Sequence, residues 1–174
     1  MPLSLIHIYE YCTAAAFADL LKALLEARAP VDLIGMASDF VADEIHHVEL
    51  TARLAMELGG GAPYRIDFGH LTQLPAPELD AFRRANELAV RICSVAEAFS
   101  LPMLAGCLKS ASHPLVSAVL ERIVQDEAPH GTLGTHYLAW ASERMDEAER
   151  ARLSGVAIEA LRGLAPLWQR LRCV

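Results

Sequence analysis

The chain has 174 residues, 53% hydrophobic but only 6% aromatic, and a formal net charge of −7. That length builds one domain with a full core and is short for two, so residues 1–174 are read as a single domain. The acidic balance argues against nucleic acid as a partner, which normally requires a basic patch. No apolar run looks long enough to cross a bilayer uninterrupted, so no membrane role is expected. Four cysteines (Cys12, Cys93, Cys107, Cys173) lack paired spacing and read as reduced thiols of a cytoplasmic protein.

Alanine and leucine dominate and β-branched runs are short, which predicts an all-α protein. The hexapeptide Leu3–Ile8 resembles the translated end of a sequencing transposon. Residues 1–8 are therefore set aside as a non-native scar, and His7 receives no role. Five helices then follow in order. Helix A runs from about Tyr9 to Arg28 and stops before Ala29-Pro30. Helix B runs from about Val31 to Leu58 and ends at Gly59-Gly60-Gly61. Residues 62–76, with Pro63, Gly69 and Pro75, read as a long connection. Helix C spans about Pro77 to Lys109. Ser112 and Pro114 open helix D, which continues to about Ser142. Asp146 and Glu149 resemble a capping box for a fifth helix, E, which Pro166 interrupts.

The A–B and C–D connections are short and predict two antiparallel hairpins; the B–C connection is long. Two hairpins joined by a long crossover form a ferritin-like four-helix bundle, here with a fifth C-terminal helix. Two interior prolines are expected to disturb it. Pro129 removes an N–H and crowds the carbonyl of Gln125, which predicts a kink or π-bulge, and Pro102 predicts the same at Ala98.

The chemistry lies in a repeated motif. Helix B contains Asp43-Glu44-Ile45-His46-His47 and helix D contains Asp126-Glu127-Ala128-Pro129-His130. A Glu and a His three apart share a helix face and can share a metal. Both pairs sit within apolar stripes: Leu33, Met36, Phe40, Glu44, His47, Thr51, Leu54 and Leu58 on B; Val116, Leu120, Ile123, Glu127, His130, Gly134 and Tyr137 on D. Glu97 lies level with Glu127 across the C–D turn, within a stripe of Val90, Cys93, Glu97, Ser100 and Leu104. On helix A the strict mirror of Glu44 is apolar, and Glu10, one turn off level, is the nearest carboxylate on the right stripe. Four carboxylates in a dry core would repel one another and cost several kcal/mol each to desolvate. Two divalent cations balance them. Buried protonated carboxylates are the alternative. Donors that are mostly oxygen, with two imidazoles, suit iron or manganese better than zinc or copper.

One Glu, a Glu-x-x-His, a second lone Glu and a second Glu-x-x-His on four successive helices resemble the ferritin-like di-iron carboxylate proteins. The stretch from Glu10 and Phe17 through Ala29-Pro30 to Asp43-Glu44-x-x-His47 resembles an uncharacterised bacterial ferritin-like family, which supports Glu10 as the helix A ligand. The doubled Asp-Glu-x-x-His is also similar to bacterial multicomponent monooxygenases. That likeness implies that Asp43 and Asp126 orient the ligand histidines. The sequence departs from the monooxygenase pattern, which has Arg immediately before each His; here His46 and Pro129 stand there. Resemblance further implies two Fe (or Mn), bridging by Glu97 and one motif glutamate, and reaction with dioxygen or peroxide. The expected function is oxidation of a small organic substrate, with an electron donor protein as a possible partner. Iron oxidation and storage, or a non-catalytic scaffold, are the alternatives. Small residues (Ala14, Cys93, Ala96, Ser100, Gly131, Gly134) suggest space for a substrate. His46 is expected at the surface, Tyr137 as a core tyrosine with a satisfied hydroxyl, and Cys93 as a small core residue.

Overall fold

Two alanine- and leucine-rich helices open the fold in a computed structural model that describes residues 6–61 and 75–165. They are α1 (Ile6–Glu26) and α2 (Val31–Glu57). Helix α1 reaches back into the hexapeptide that the sequence reading set aside, and His7 is buried on it. Both helices end in the same reciprocal cap. After α1 the Arg28 amide donates to Leu25 O and the Ala29 amide to Leu24 O; after α2 Gly59 donates to Met56 O and Gly60 to Ala55 O. This motif needs a left-handed residue at its turn. Gly59 supplies it at φ 79°, whereas Arg28 adopts φ 54° despite its side chain.

Helix α3 (Ala81–Ser110) begins at Asp80, not Pro77, because the Asp80 carboxylate accepts the Arg83 amide at 2.9 Å. It is long and apolar enough to cross a membrane by length and composition, contrary to the sequence expectation. Here it packs against α1 and the later helices, and it buries Asn86, Glu87 and Glu97. Its middle, Val90–Ala96, is a π-helix. At Pro102 and Ala98 it stays α-helical, so the π-bulge expected there does not form; the π segment ends before Glu97.

Helices α4 (Pro114–Glu127) and α5 (His130–Ala141) are halves of the expected helix D, broken at Ala128–Pro129. The break fits a proline that cannot donate in the ladder. It is a turn, not a π-bulge: the Thr132 amide and hydroxyl both donate to Pro129 O. His113, rather than Ser112, caps α4, its Nδ1 accepting the Leu115 amide at 3.2 Å. A 3₁₀ turn (Ser142–Arg144) leads to α6 (Glu147–Gly163). Asp146 caps α6, accepting the Glu149 amide at 2.7 Å. The Glu149 side chain turns to Asn86 and Arg152, so only half of the capping box forms. The expected Pro166 interruption, residues 62–74 of the crossover, and Cys173 lie outside the described residues. Among the described residues there is no strand.

Helix α1 lies beside α2 and α3, α2 lies beside α4 and α5, and α3 lies beside α4 and α5, which closes a ring; α6 packs outside on α3. The core inside the ring is in two parts. One holds Phe17, Leu20, Leu24, Phe40, Leu88, Leu133 and Tyr137; the other holds Leu54, Leu104, Val116, Leu120 and Ile123. In every helix of the ring except α1, the motif residues fall in chain order between these two apolar parts.

Candidate metal centre

All six residues expected as ligands are buried: Glu10 on α1, Glu44 and His47 on α2, Glu97 on α3, Glu127 closing α4 and His130 opening α5. Glu10 converges although it is a turn off level. Its Oε2 lies 3.9 Å from His47 Nδ1. The level position, Ala14, is buried and too short to reach.

Two overlapping groups of donors form. Glu10, Glu44, His47 and Glu127 make one; Glu44, Glu97, Glu127 and His130 make the other. Within each, one atom per residue lies within 4.8 Å of every other, and each group can hold a metal ion. Ligand bonds of about 2.1 Å put opposite donors about 4.2 Å apart, so the spacing suits a cation. Glu44 and Glu127 belong to both groups, whereas Glu97 belongs to one. Glu44 and Glu127 each face both imidazoles, at 3.1 to 3.7 Å from their Nδ1 atoms.

The histidines present the correct nitrogen. Nε2 of His47 lies 3.3 Å from Asp126 Oδ2, and Nε2 of His130 lies 3.5 Å from Asp43 Oδ2. Each Asp thus serves the histidine of the other motif. Donation from Nε2 leaves the Nδ1 lone pair facing inward. His130 is also packed between rings, 4.1 Å from Phe40 and 5.4 Å from Phe17 by centroids.

Charge is concentrated where water is excluded. Burial, then the neighbouring carboxylates Glu44 and Glu127, push Glu10 well above the usual carboxylate range; burial and Glu127 do the same to Glu97. Burial disfavours charge on both imidazoles, but the facing Glu127 and Glu44 outweigh it and raise His47 and His130 to about 10. Burial likewise opposes ionisation of Glu127, yet His130, His47 and Glu97 hold it well below the ordinary range. The cluster thus demands positive charge, from protons or from cations. Among the described residues, both oxygens of Glu44, Oε2 of Glu127 and Nδ1 of both histidines are buried without a hydrogen-bond partner of good geometry. Buried polar atoms left in this way are costly unless a proton or a cation meets them. The donor set therefore fits a metal.

Among the lesser expectations, His46 is exposed and Cys93 is buried. Tyr137 is fully buried and its hydroxyl donates to Asn86 Oδ1 at 2.7 Å. The small residues do not all leave space. A Cβ on Gly134 would lie 3.0 Å from Cys93 Cβ and 3.3 Å from the Cys93 carbonyl carbon, whereas one on Gly131 would meet nothing within 4 Å. Gly134 lets α5 approach the π segment of α3; it does not open a cavity.

Two features differ in place or role from what the sequence predicts. The π segment is followed by Glu97, whose amide donates to Ile92 O five residues back, and this extra residue per turn re-aims the Glu97 side chain. A buried network also ties α6 to the ring: Asn86 Nδ2 donates to Glu149 at 2.8 Å, Arg152 donates to Glu149 and Glu87, and Arg91 donates to Glu87. Asn86 stands among Arg83, Arg84 and Glu87, so nothing in the local sequence marks it as buried.

The chain matches no family model, and no curated protein or solved structure matches it.

Proposed function

We propose that the chain is a ferritin-like di-metal carboxylate protein whose centre holds two divalent ions, iron or alternatively manganese. Its role would be that of an oxidoreductase that activates dioxygen or peroxide to oxidise a small organic substrate. The observation that carries the two-ion reading is the sharing of Glu44 and Glu127 by two buried donor groups. Glu10 and His47 would complete one position, and Glu97 and His130 the other. Four carboxylates and two neutral imidazoles balance two divalent ions and leave no net buried charge. The ring of α1, α2, α3 and the broken pair α4–α5, with the ligand order along it, supports the ferritin-like reading. The oxygen-rich donor set favours iron or manganese.

A pair of redox-active ions would supply the electrons for reducing dioxygen. The chain's own contributions are local. Asp43 and Asp126 hold the imidazoles with Nδ1 inward. The two apolar halves of the core keep bulk water from the carboxylates. The Ser100 hydroxyl lies 3.3 Å from Glu97 Oε2 and donates to it.

Rapid mixing of anaerobic, Fe(II)-loaded protein with oxygenated buffer tests the proposal. The expected result is oxidation much faster than for free Fe(II), in a burst of about two ions per chain, and no burst in Glu44→Ala. Oxidation no faster than in buffer would refute the oxygen chemistry. Continued oxidation and retention of a large excess of iron would favour the storage alternative.

A further inference from the structure

The two halves of the centre differ outside the ligands. Asp126 Oδ2 faces His47 Nε2 at 3.3 Å and also accepts from Arg122 Nε at 2.7 Å. The Asp126 side chain is only 14% exposed. Its counterpart Asp43 stands 3.5 Å from His130 Nε2, is 37% exposed, and pairs with no lysine or arginine among the described residues.

Resting on the two-ion reading above, we propose that the His47 position takes its ion first and more tightly than the His130 position, with Arg122 setting this order as a positioning residue acting through Asp126. A metal-bound imidazole needs its other N–H held by an anion, which fixes the ring and raises the basicity of the ligating nitrogen. The clamped Asp126 is fixed before the ion arrives, so little ordering cost falls on binding. Asp43, more exposed and without such a clamp, is held less firmly against His130. The packing of Phe40 and Phe17 holds the plane of His130 but offers no negative charge to its N–H. Ser100 works in the same direction, because its hydroxyl occupies an oxygen of Glu97, a donor of the His130 position alone.

Arg122 also brings a positive charge, which would repel a cation. Its side chain is 56% exposed, and an aspartate and an imidazole stand between it and the donor nitrogen. Salt weakens repulsion from so exposed a charge, the Debye length being about 8 Å at physiological salt. The orienting effect therefore wins. As an i, i+4 surface pair, Arg122–Asp126 adds little to folding, so its removal leaves the fold in place.

Anaerobic titration of the full chain with Co(II), followed by visible absorption and calorimetry, tests this. The wild type should bind in two resolved steps. Arg122→Gln should weaken the first about tenfold, at the low end for partners behind a ligand, and leave the second unchanged. Arg122→Lys should keep the separation. His130→Ala should retain the tight step and His47→Ala should lose it. Two steps in the wild type that Arg122→Gln leaves unaltered, or weakens equally, would overturn the role of Arg122. A tight step that survives in His47→Ala would overturn the order of filling. A wild type that binds no cobalt, or one, would instead refute the two-ion reading itself.

Discussion

Glu44 Oε1 lies 3.1 Å from His130 Nδ1, so the glutamate of one motif faces the histidine of the other. The reverse also holds, with Glu127 Oε1 3.3 Å from His47 Nδ1. Each glutamate also faces its own histidine, Glu127 at 3.1 Å and Glu44 at 3.7 Å. A carboxylate placed this way belongs to two positions at once.

Metal content should divide the ligands accordingly. Glu44→Ala or Glu127→Ala removes a donor from both groups and should abolish binding of both ions. Glu10→Ala or Glu97→Ala removes a donor from one group and should leave about one ion per chain. Glu49→Ala, at an exposed site paired with Arg53, should leave the content unchanged. Elemental analysis of reconstituted variants reads this out. Equal loss in all four ligand variants would contradict the division.

The metal-stripped protein should lose thermal stability as pH rises. The imidazoles, raised to about 10, contribute stability that is complete below their unfolded value of about 6.5 and is lost as pH rises through about 10. Glu10 and Glu97, also raised, act in the same sense. Glu127 acts oppositely, but its contribution is lost only as pH falls through its lowered value, in strong acid. From about pH 6.5 to 9 the melting temperature should therefore fall. Cations displace the same protons, so the stabilisation by Mn(II) should grow across that window. Scanning calorimetry with and without metal measures both. A metal effect independent of pH would contradict the proton count.

Gly134 and Gly131 should respond oppositely to alanine. Gly131→Ala meets open space and should gain up to about 1 kcal/mol from helix propensity. Gly134→Ala drives a methyl into Cys93 and its backbone, and overpacking of about 1–3 kcal/mol should outweigh that gain. It should also disturb the π segment and lower metal content at the Glu97 position. Urea unfolding of the two variants decides it, and equal stabilisation of both would refute the close approach.

The sequence carried the seam because ligands and core residues obey one helical period. Glu44, His47, Glu127 and His130 fall on stripes whose apolar members are nearly all buried; only Leu58, past the end of α2, is exposed. Glu97 was found by its level across a short turn. Other features depend on neighbours distant in the chain. The π segment is set against Gly134, and Glu149 meets Asn86 across 63 positions, which local periodicity cannot encode. The crossing of Asp126 to His47 and Asp43 to His130 is likewise tertiary.

Tyr137→Phe probes that network. It strips the donor from Asn86 Oδ1, a fully buried acceptor, and should cost about 1–3 kcal/mol. Metal content should be unchanged, because Tyr137 belongs to neither donor group. Chemical denaturation together with metal analysis measures both, and loss of metal without loss of stability would give Tyr137 a role at the centre.

The central claim, that Glu44 and Glu127 bridge two ions, is tested most directly by electron paramagnetic resonance of the Mn(II)-loaded protein. Carboxylates shared by two ions couple their spins. The account predicts the spectrum of an exchange-coupled pair at full loading, lost in Glu44→Ala and Glu127→Ala. The hyperfine pattern of isolated, uncoupled Mn(II) at full loading would contradict it.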